Sequence, residues 1–525
     1  MCNRAVGLAL LGGIMLMAWG CGQDPVYFPA EPIGRHIADG QTDWDVNGDG
    51  EADFTLYRNP AGRVDRIGYP AGANRLAEVI ALDEIPLSEC RHVVIILDGF
   101  AYDAVSAYRR FGGLGVFHEP SRVICPYPAM TDLALAELGG TPPPKGMEAR
   151  YYSQAEGKVV GGAWAYMAKK NAPYETFLNY RASMIWDAIG YLYPSAVFGK
   201  EVNDAKKYLD TSGKKQVIMY FVSSAGISTQ EGAEGQKDAL KRLQRLMHQL
   251  LMETRGRVKF TLLSDHGHSY TPPQRIDFER HLKSRGWHLT DKPTGPRDAA
   301  YVRFGLVTYA SFGTPSPAEL AADVAEARGV ELASYADGDE VVVLDGRGGR
   351  ARIARRDGRF SYRVESGDPL DLAALLGGLA SQGGYYDADL LLAATAEHVY
   401  PAPLQRLWRA HFEVVRHPPD VLASLADRFY AGSKGFSGSV NIVSTHGSLN
   451  HRNSSAFVAS SIGPLPPLMR TADVKDALGQ LTGRPFPAGP IPTADSAGRQ
   501  AATQPTPEPA NPTDPPAVRE LERMD

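Results

Sequence analysis

The chain is poor in cysteine, carries no excess of positive charge and contains no apolar run long enough to cross a bilayer. Four cysteines occur in 525 residues. Cys2 and Cys21 fall in the N-terminal leader, so Cys90 and Cys125 alone belong to the folded part. Two cysteines exclude a disulfide scaffold, and whether they form a single bridge depends on a distance that sequence does not supply. The net charge is −5 and the isoelectric point about 6.3, which excludes the basic field that binds nucleic-acid backbones. What is present is ordinary for a folded protein: 43% apolar and 22% charged residues, near globular averages. The length is roughly three domains' worth of chain, and 54 glycines and 38 prolines point to many turns and an unstructured segment.

The N-terminus has the form of an export signal. Arg4 supplies the positive start, and Ala5 to Trp19 is an apolar run too short to span a membrane. Ala18-Trp19-Gly20-Cys21 resembles a bacterial lipobox, with Ala18 in place of the usual leucine and a bulky Trp19. The resemblance implies that residues 1–21 are a signal, that Cys21 is acylated and that the mature chain is an exported lipoprotein anchored to a membrane of the cell envelope. Ordinary secretion with cleavage nearby is the alternative.

A polar region follows, over residues 22–87. It contains Asp45-Val-Asn47-Gly-Asp49-Gly50-Glu51-Ala-Asp53. Oxygen-bearing side chains at alternate positions, with a glycine at the sharp turn, can wrap a hard cation. The loop resembles the calcium loops of dockerin-like and integrin-propeller repeats, which would make Asp45, Asn47, Asp49, Glu51 and Asp53 calcium ligands. It lacks the bidentate Glu of an EF-hand at Leu56. The alternative is a polar turn joining the strands Phe54–Tyr57 and Val64–Gly68.

From Arg91 the pattern becomes strand, polar tip, helix. His92–Leu97, Val217–Phe221, Val258–Leu263 and Val440–Val443 are continuous apolar runs, as expected of strands buried on both faces. Gln236–Thr254 carries leucines at helical spacing. Alternation of this kind predicts an α/β core over residues 88–467, a doubly wound, mostly parallel sheet flanked by helices. Residues 270–369 read as an inserted smaller α+β subdomain, with short strands at Glu340–Leu344, Ala351–Ala354 and Phe360–Val364. Residues 486–525 are rich in proline, threonine and alanine and are expected to be disordered.

A doubly wound sheet places its chemistry beyond the carboxyl ends of its strands, and three strand ends carry metal-type side chains. They are Leu97-Asp98-Gly99, Leu263-Ser-Asp265-His266-Gly267-His268 and Val443-Ser-Thr445-His446-Gly447. Each alone is an ordinary turn signal. Together, two carboxylates, an imidazole and a further oxygen ligand suit zinc or manganese, whereas an all-oxygen set would suit magnesium or calcium. Between the first two lies Cys125-Pro-Tyr-Pro128-Ala-Met130-Thr131, followed by an apolar helical pattern from Asp132 to Leu138. Thr131 would sit at the helix N-cap, where free amide groups favour a phosphate or sulfate oxygen. A metal that lowers its pKa would make its hydroxyl a nucleophile, while the bland alternative is a threonine that only caps the helix.

In this order the residues resemble the alkaline phosphatase superfamily, most closely its nucleotide pyrophosphatase/phosphodiesterase branch, over about Arg91 to Pro467. Ile95-Ile-Leu-Asp98-Gly99 looks like that family's first metal motif, Pro128-Ala-Met-Thr131 like its nucleophile segment, Ser264-Asp265-His266-Gly267 like its second metal motif and Thr445-His446-Gly447-Ser448 like its last. The resemblance implies that Asp98, Thr131, Asp265 and His266 form one zinc or manganese site, that Thr131 is the catalytic nucleophile and that His446 belongs to a second site. The sulfatase branch fits badly, because Ala129 stands where its arginine should be.

One departure matters. Family members follow a core strand with an Asp and, four residues later, a His. Here Ala225 and Thr229 occupy those positions, and no Asp-x-x-x-His occurs from Ser223 to Gln236. His446 would be left alone in the second site. Glu231, His268 and His451 are substitutes to consider, with His268 reading as an exposed loop histidine. The expectation is a hydrolase of small phosphate esters, phosphodiester or nucleotide-type, working through a phosphothreonine with one firmly bound metal. The alternatives are a weak or inactive relative that binds a phosphorylated ligand at the cell surface, and a single-metal sulfuryl or phosphonate hydrolase.

Overall fold

The computed structural model describes residues 27–486 apart from 29–32, 39, 71–75, 163–171, 184–185, 187–188 and 433–439. The leader with Cys21 and the tail beyond Phe486 lie outside the described residues. The core is a seven-stranded sheet whose strands run, edge to edge, Tyr180–Arg181, Gln216–Phe221, Arg91–Leu97, Val258–Ser264, Ser455–Ser460, Ser121–Ile124 and Leu468–Arg470. All run in one direction except Ser455–Ser460, which is antiparallel to both neighbours. The expected mostly parallel α/β sheet is therefore present.

Both faces of this sheet are buried, which is why its strands read as unbroken apolar runs. Val93, Ile95 and Leu97 pack under the helices Tyr102–Arg110, Pro194–Thr211 and Gly232–Glu253. Val94 and Ile96 pack on the opposite face, under Thr131–Gly139 and Thr471–Thr482. The core thus continues past Pro467, and Phe486 is still buried, its ring 6.4 Å from that of Phe177. Each fully buried side chain of this kind contributes about 1.5–3 kcal/mol.

Residues 33–81 form a separate five-stranded antiparallel sheet, and Phe54, Leu56, Val64 and Ile67 pack it onto the first face of the core. The acidic loop joins Gln41–Asp45 to Phe54–Arg58, one connection earlier than the sequence suggested. Asp45 accepts from the amides of Gly48 and Gly50, Asn47 from Asp49, Asp49 from Glu51, and Asp53 from Val46. The side-chain oxygens of the loop thus serve its own amides, and no three of its carboxylates offer ligand atoms within 4.8 Å of one another.

The second unit is larger than the stretch 270–369. Its nine-stranded sheet takes in Val421–Leu425 as a central strand, and the helix Pro403–Phe412 packs against it. Val440–Val443 is not a strand. The following loop is fastened to the second unit instead, through a parallel bridge between Val307 and His446, with Thr308 N–H donating to His446 O at 2.7 Å. Cys90 and Cys125 are both free and buried.

Phe260, 1% exposed at the middle of the core sheet, gives a direct check on this layering. Phe260→Ala is expected to cost about 3–5 kcal/mol, read as a lowered urea midpoint with the slope unchanged.

Candidate metal centre

Strand register brings the first two motifs together. Leu97 pairs with Ser264 across adjacent parallel strands, so Asp98 and Asp265 leave the sheet side by side. Asp98 is 7% exposed, Asp265 1% and His266 fully buried. One ligand atom from each of the three lies within 4.8 Å of the other two. Among the described residues this is the one such group of His, Cys, Asp or Glu.

Thr131 completes the set. It is the first residue of the helix Thr131–Gly139 and makes no capping bond, because the cap position falls on Met130. Its hydroxyl instead faces the site, 3.4 Å from His266 Nε2. His266 Nε2 also lies 3.6 Å from Asp98 Oδ1 and 3.6 Å from Asp265 Oδ2. Ligands bonded at about 2.0–2.1 Å to a tetrahedral ion stand about 3.3–3.4 Å apart, and the three distances from His266 Nε2 lie close to that spacing. Asp265 Oδ2 is buried with no hydrogen-bond partner, the condition expected of an atom whose partner is a cation.

The surrounding contacts aim the donors. His266 Nδ1–H donates to Gly267 O at 3.0 Å, which leaves the Nε2 lone pair for the site. Asp265 Oδ1 accepts from the amides of Gly99 at 2.9 Å and His266 at 2.8 Å, turning Oδ2 inward. Tyr220 OH donates to Asp98 Oδ2 at 2.5 Å, and Ser224 Oγ accepts the Asp98 amide at 2.7 Å. Burial raises the pKa of Asp265, against the opposing pull of the Gly99 amide and the Thr131 hydroxyl. Burial also lowers that of His266 to about 4, so the imidazole is neutral and competent as a ligand near neutral pH.

Two glycines are required by these approaches. Gly99 has φ +71°, and a Cβ there would lie 2.7 Å from His268 Cδ2. A Cβ on Gly267 would lie 1.9 Å from the carbonyl oxygen of Arg452.

His446 comes from the loop fastened to the second unit and is partly exposed at the mouth of the site. Its Nδ1–H donates to Ala129 O at 2.9 Å, and the Ala129 amide donates to Gly447 O at 3.1 Å, so the nucleophile segment and the His446 loop hold each other. Arg406, buried, donates to the carbonyls of Pro126 and Leu449 and ties the two loops to the second unit. The His446 ring is stacked on His266 at 4.0 Å. Ala225 and Thr229 are buried on the short helix Ser224–Gln230, and neither offers a carboxylate or an imidazole.

Of the substitutes considered, Glu231 accepts from Ser195 and His451 lies 3.7 Å from Glu397. His268 is fully buried, where the sequence predicts an exposed loop residue. Its sequence position beside His266 was the available signal, but its burial comes from Ser444 and Gly99, remote in the chain.

Removing the Tyr220 hydroxyl tests how far the outer contacts matter. Tyr220→Phe is expected to weaken metal affinity about 10- to 100-fold without unfolding the chain, measured by competition with a chromophoric chelator.

No protein-family model matches the chain, and no curated protein does. Among solved structures it is similar to murine ectonucleotide pyrophosphatase/phosphodiesterase 5, at 12% identity over 75% of this chain and 95% of that one, with a TM-score of 0.39. The human protein of the same name gives 12% identity, the same coverage and a TM-score of 0.40. A phosphonoacetate hydrolase from Sinorhizobium meliloti 1021, in complex with phosphonoformate, gives 11% identity over 79% of this chain and 99% of that one, with a TM-score of 0.41.

Proposed function

We propose that the protein is a metal-dependent hydrolase of phosphate esters, of the phosphodiester or nucleotide type, acting through a phosphothreonine at Thr131. The observation that carries this reading is the Thr131 hydroxyl, which makes no cap bond and instead meets His266 Nε2 at 3.4 Å beside the Asp98–Asp265–His266 group. Three oxygens and one imidazole suit zinc or manganese. A bound divalent cation supplies the positive charge that lowers the hydroxyl pKa and steadies the phosphoryl oxygens.

The chain's own groups do the rest. Asp98, Asp265 and His266 hold the Thr131 hydroxyl at the floor of the site, and their buried outer contacts fix its direction. The first turn of the helix Thr131–Gly139 presents unbonded amides toward an anion. Thr131 Oγ1 gives up its proton and attacks phosphorus, the ester oxygen leaves as the alcohol, and water then cleaves the phosphothreonine to inorganic or monoester phosphate. Partly exposed Thr131 and His446 leave the mouth open to a small ester. Export and anchoring through Cys21 belong to the same proposal, supported by the leader sequence.

A second reading is favoured by Ala225 and Thr229, which provide no further ligands: a relative that binds a phosphorylated ligand and turns it over slowly or not at all. Hydrolysis of chromogenic phosphodiesters and phosphomonoesters by the zinc- or manganese-loaded chain separates the two. Turnover that chelation abolishes, and that falls at least about 1000-fold in Thr131→Ala while metal is retained, is the expected result. Metal and phosphate binding without turnover on any ester would establish the binding protein.

A further inference from the structure

We propose that the second unit carries a separate binding site for a phosphorylated small molecule, in the cavity lined by Thr271, Pro272, Gln274, Arg328, Arg428 and Phe429. This goes beyond the hydrolytic reading and does not depend on it, since none of these residues belongs to the metal centre. The cavity measures about 340 Å³, within the roughly 300–1,000 Å³ of small-molecule sites. Regular pairing joins two of its segments: Gln274 and Arg275 lie parallel to Phe429 and Tyr430, and the Gln274 amide donates to Arg428 O at 2.8 Å.

Uncompensated charge marks the cavity. Arg328 and Arg428 are exposed, and among the described residues neither takes part in an ion pair. Other arginines of this unit do: Arg275 and Arg303 pair with Glu279, Arg285 with Glu326 and Arg297 with Asp323. The acids nearest in sequence are engaged elsewhere. Asp427 accepts from the side-chain amides of Asn450 and Asn453 at 3.1 and 2.9 Å, and Glu331 is hydrogen-bonded by Asn450 and Tyr400. A phosphate monoester carries about −1.5 to −2 charges near pH 7, which matches two guanidiniums where a carboxylate matches one. Guanidiniums also take phosphate oxygens through paired N–H donors.

Phe429 adds an apolar wall. Its ring lies against the backbone of Gly329, where φ is +97° and a Cβ would stand 2.4 Å from the ring, and the Arg328 guanidinium is 5.8 Å from the ring centre. A phosphate on the arginines with a flat group against Phe429 and Pro272 matches both parts of the lining. A bare inorganic anion matches only one.

The test uses the full chain freed of metal by chelation, so that phosphate meets no ion at Asp98, Thr131, Asp265 and His266 and no ester is turned over. Calorimetric titration is expected to give one site per chain for phenyl phosphate, with inorganic phosphate bound more weakly. Arg328→Gln and Arg428→Gln change exposed side chains, and each is expected to weaken phenyl phosphate at least about 10-fold with the circular dichroism spectrum unchanged. No saturable binding, affinity unchanged in either variant, or phenyl phosphate held no better than inorganic phosphate overturns the proposal. Turnover of a chromogenic ester by the metal-loaded chain, expected to be the same in both variants, reports on the metal centre separately, so either reading can fall without the other.

Discussion

Two carboxylates held side by side in a nearly dry crevice set the terms for the rest of the site. Leu97 and Ser264 are register partners in adjacent parallel strands, so Asp98 and Asp265 emerge together whatever their charges prefer. Burial raises the pKa of Asp265, so without a cation the dry crevice favours its protonated form. With one, the same closeness becomes affinity. The hydroxyl of Tyr220, the amides of Gly99 and His266, and the carbonyl of Gly267 all act to keep the remaining atoms pointed at that position.

The nucleophile and the last histidine are brought to this floor by different parts of the molecule. Thr131 follows the strand Ser121–Ile124, two places from the strand that ends in Asp265 and three from the one that ends in Asp98. His446 hangs from the second unit through Val307 and Thr308. Their reciprocal bonds through Ala129 and Gly447, and the buried Arg406 that spans both loops, make the second unit part of the site's geometry. A change in the second unit that shifts Arg406 acts on Thr131 without touching the centre.

The strands carrying Asp98 and Asp265 were legible because burial on both faces makes a strand an unbroken apolar run, and a glycine after the acidic residue marks where the chain turns. The same rule misread Val440–Val443, an apolar run that packs as a loop, and passed over Ser455–Ser460, whose serines and alanines give little strand signal yet which lies entirely buried between two partners. The boundary of the second unit was hidden because Val421–Leu425 joins its sheet from far along the chain. Thr131 was found by its place before a helix, but only the structure separates a cap from a site residue. The burial of His268 is a tertiary fact, fixed by Ser444 and by the missing side chain of Gly99, and no local pattern announces it.

Everything in this reading turns on one divalent ion among Asp98, Thr131, Asp265 and His266. Anomalous scattering from crystals of the mature chain soaked in zinc tests it most directly. A peak is expected within about 2.0–2.2 Å of Oδ1 of Asp98, Oγ1 of Thr131, Oδ2 of Asp265 and Nε2 of His266. No peak there, or a peak bound by the other three with Thr131 turned away to cap its helix, would contradict it.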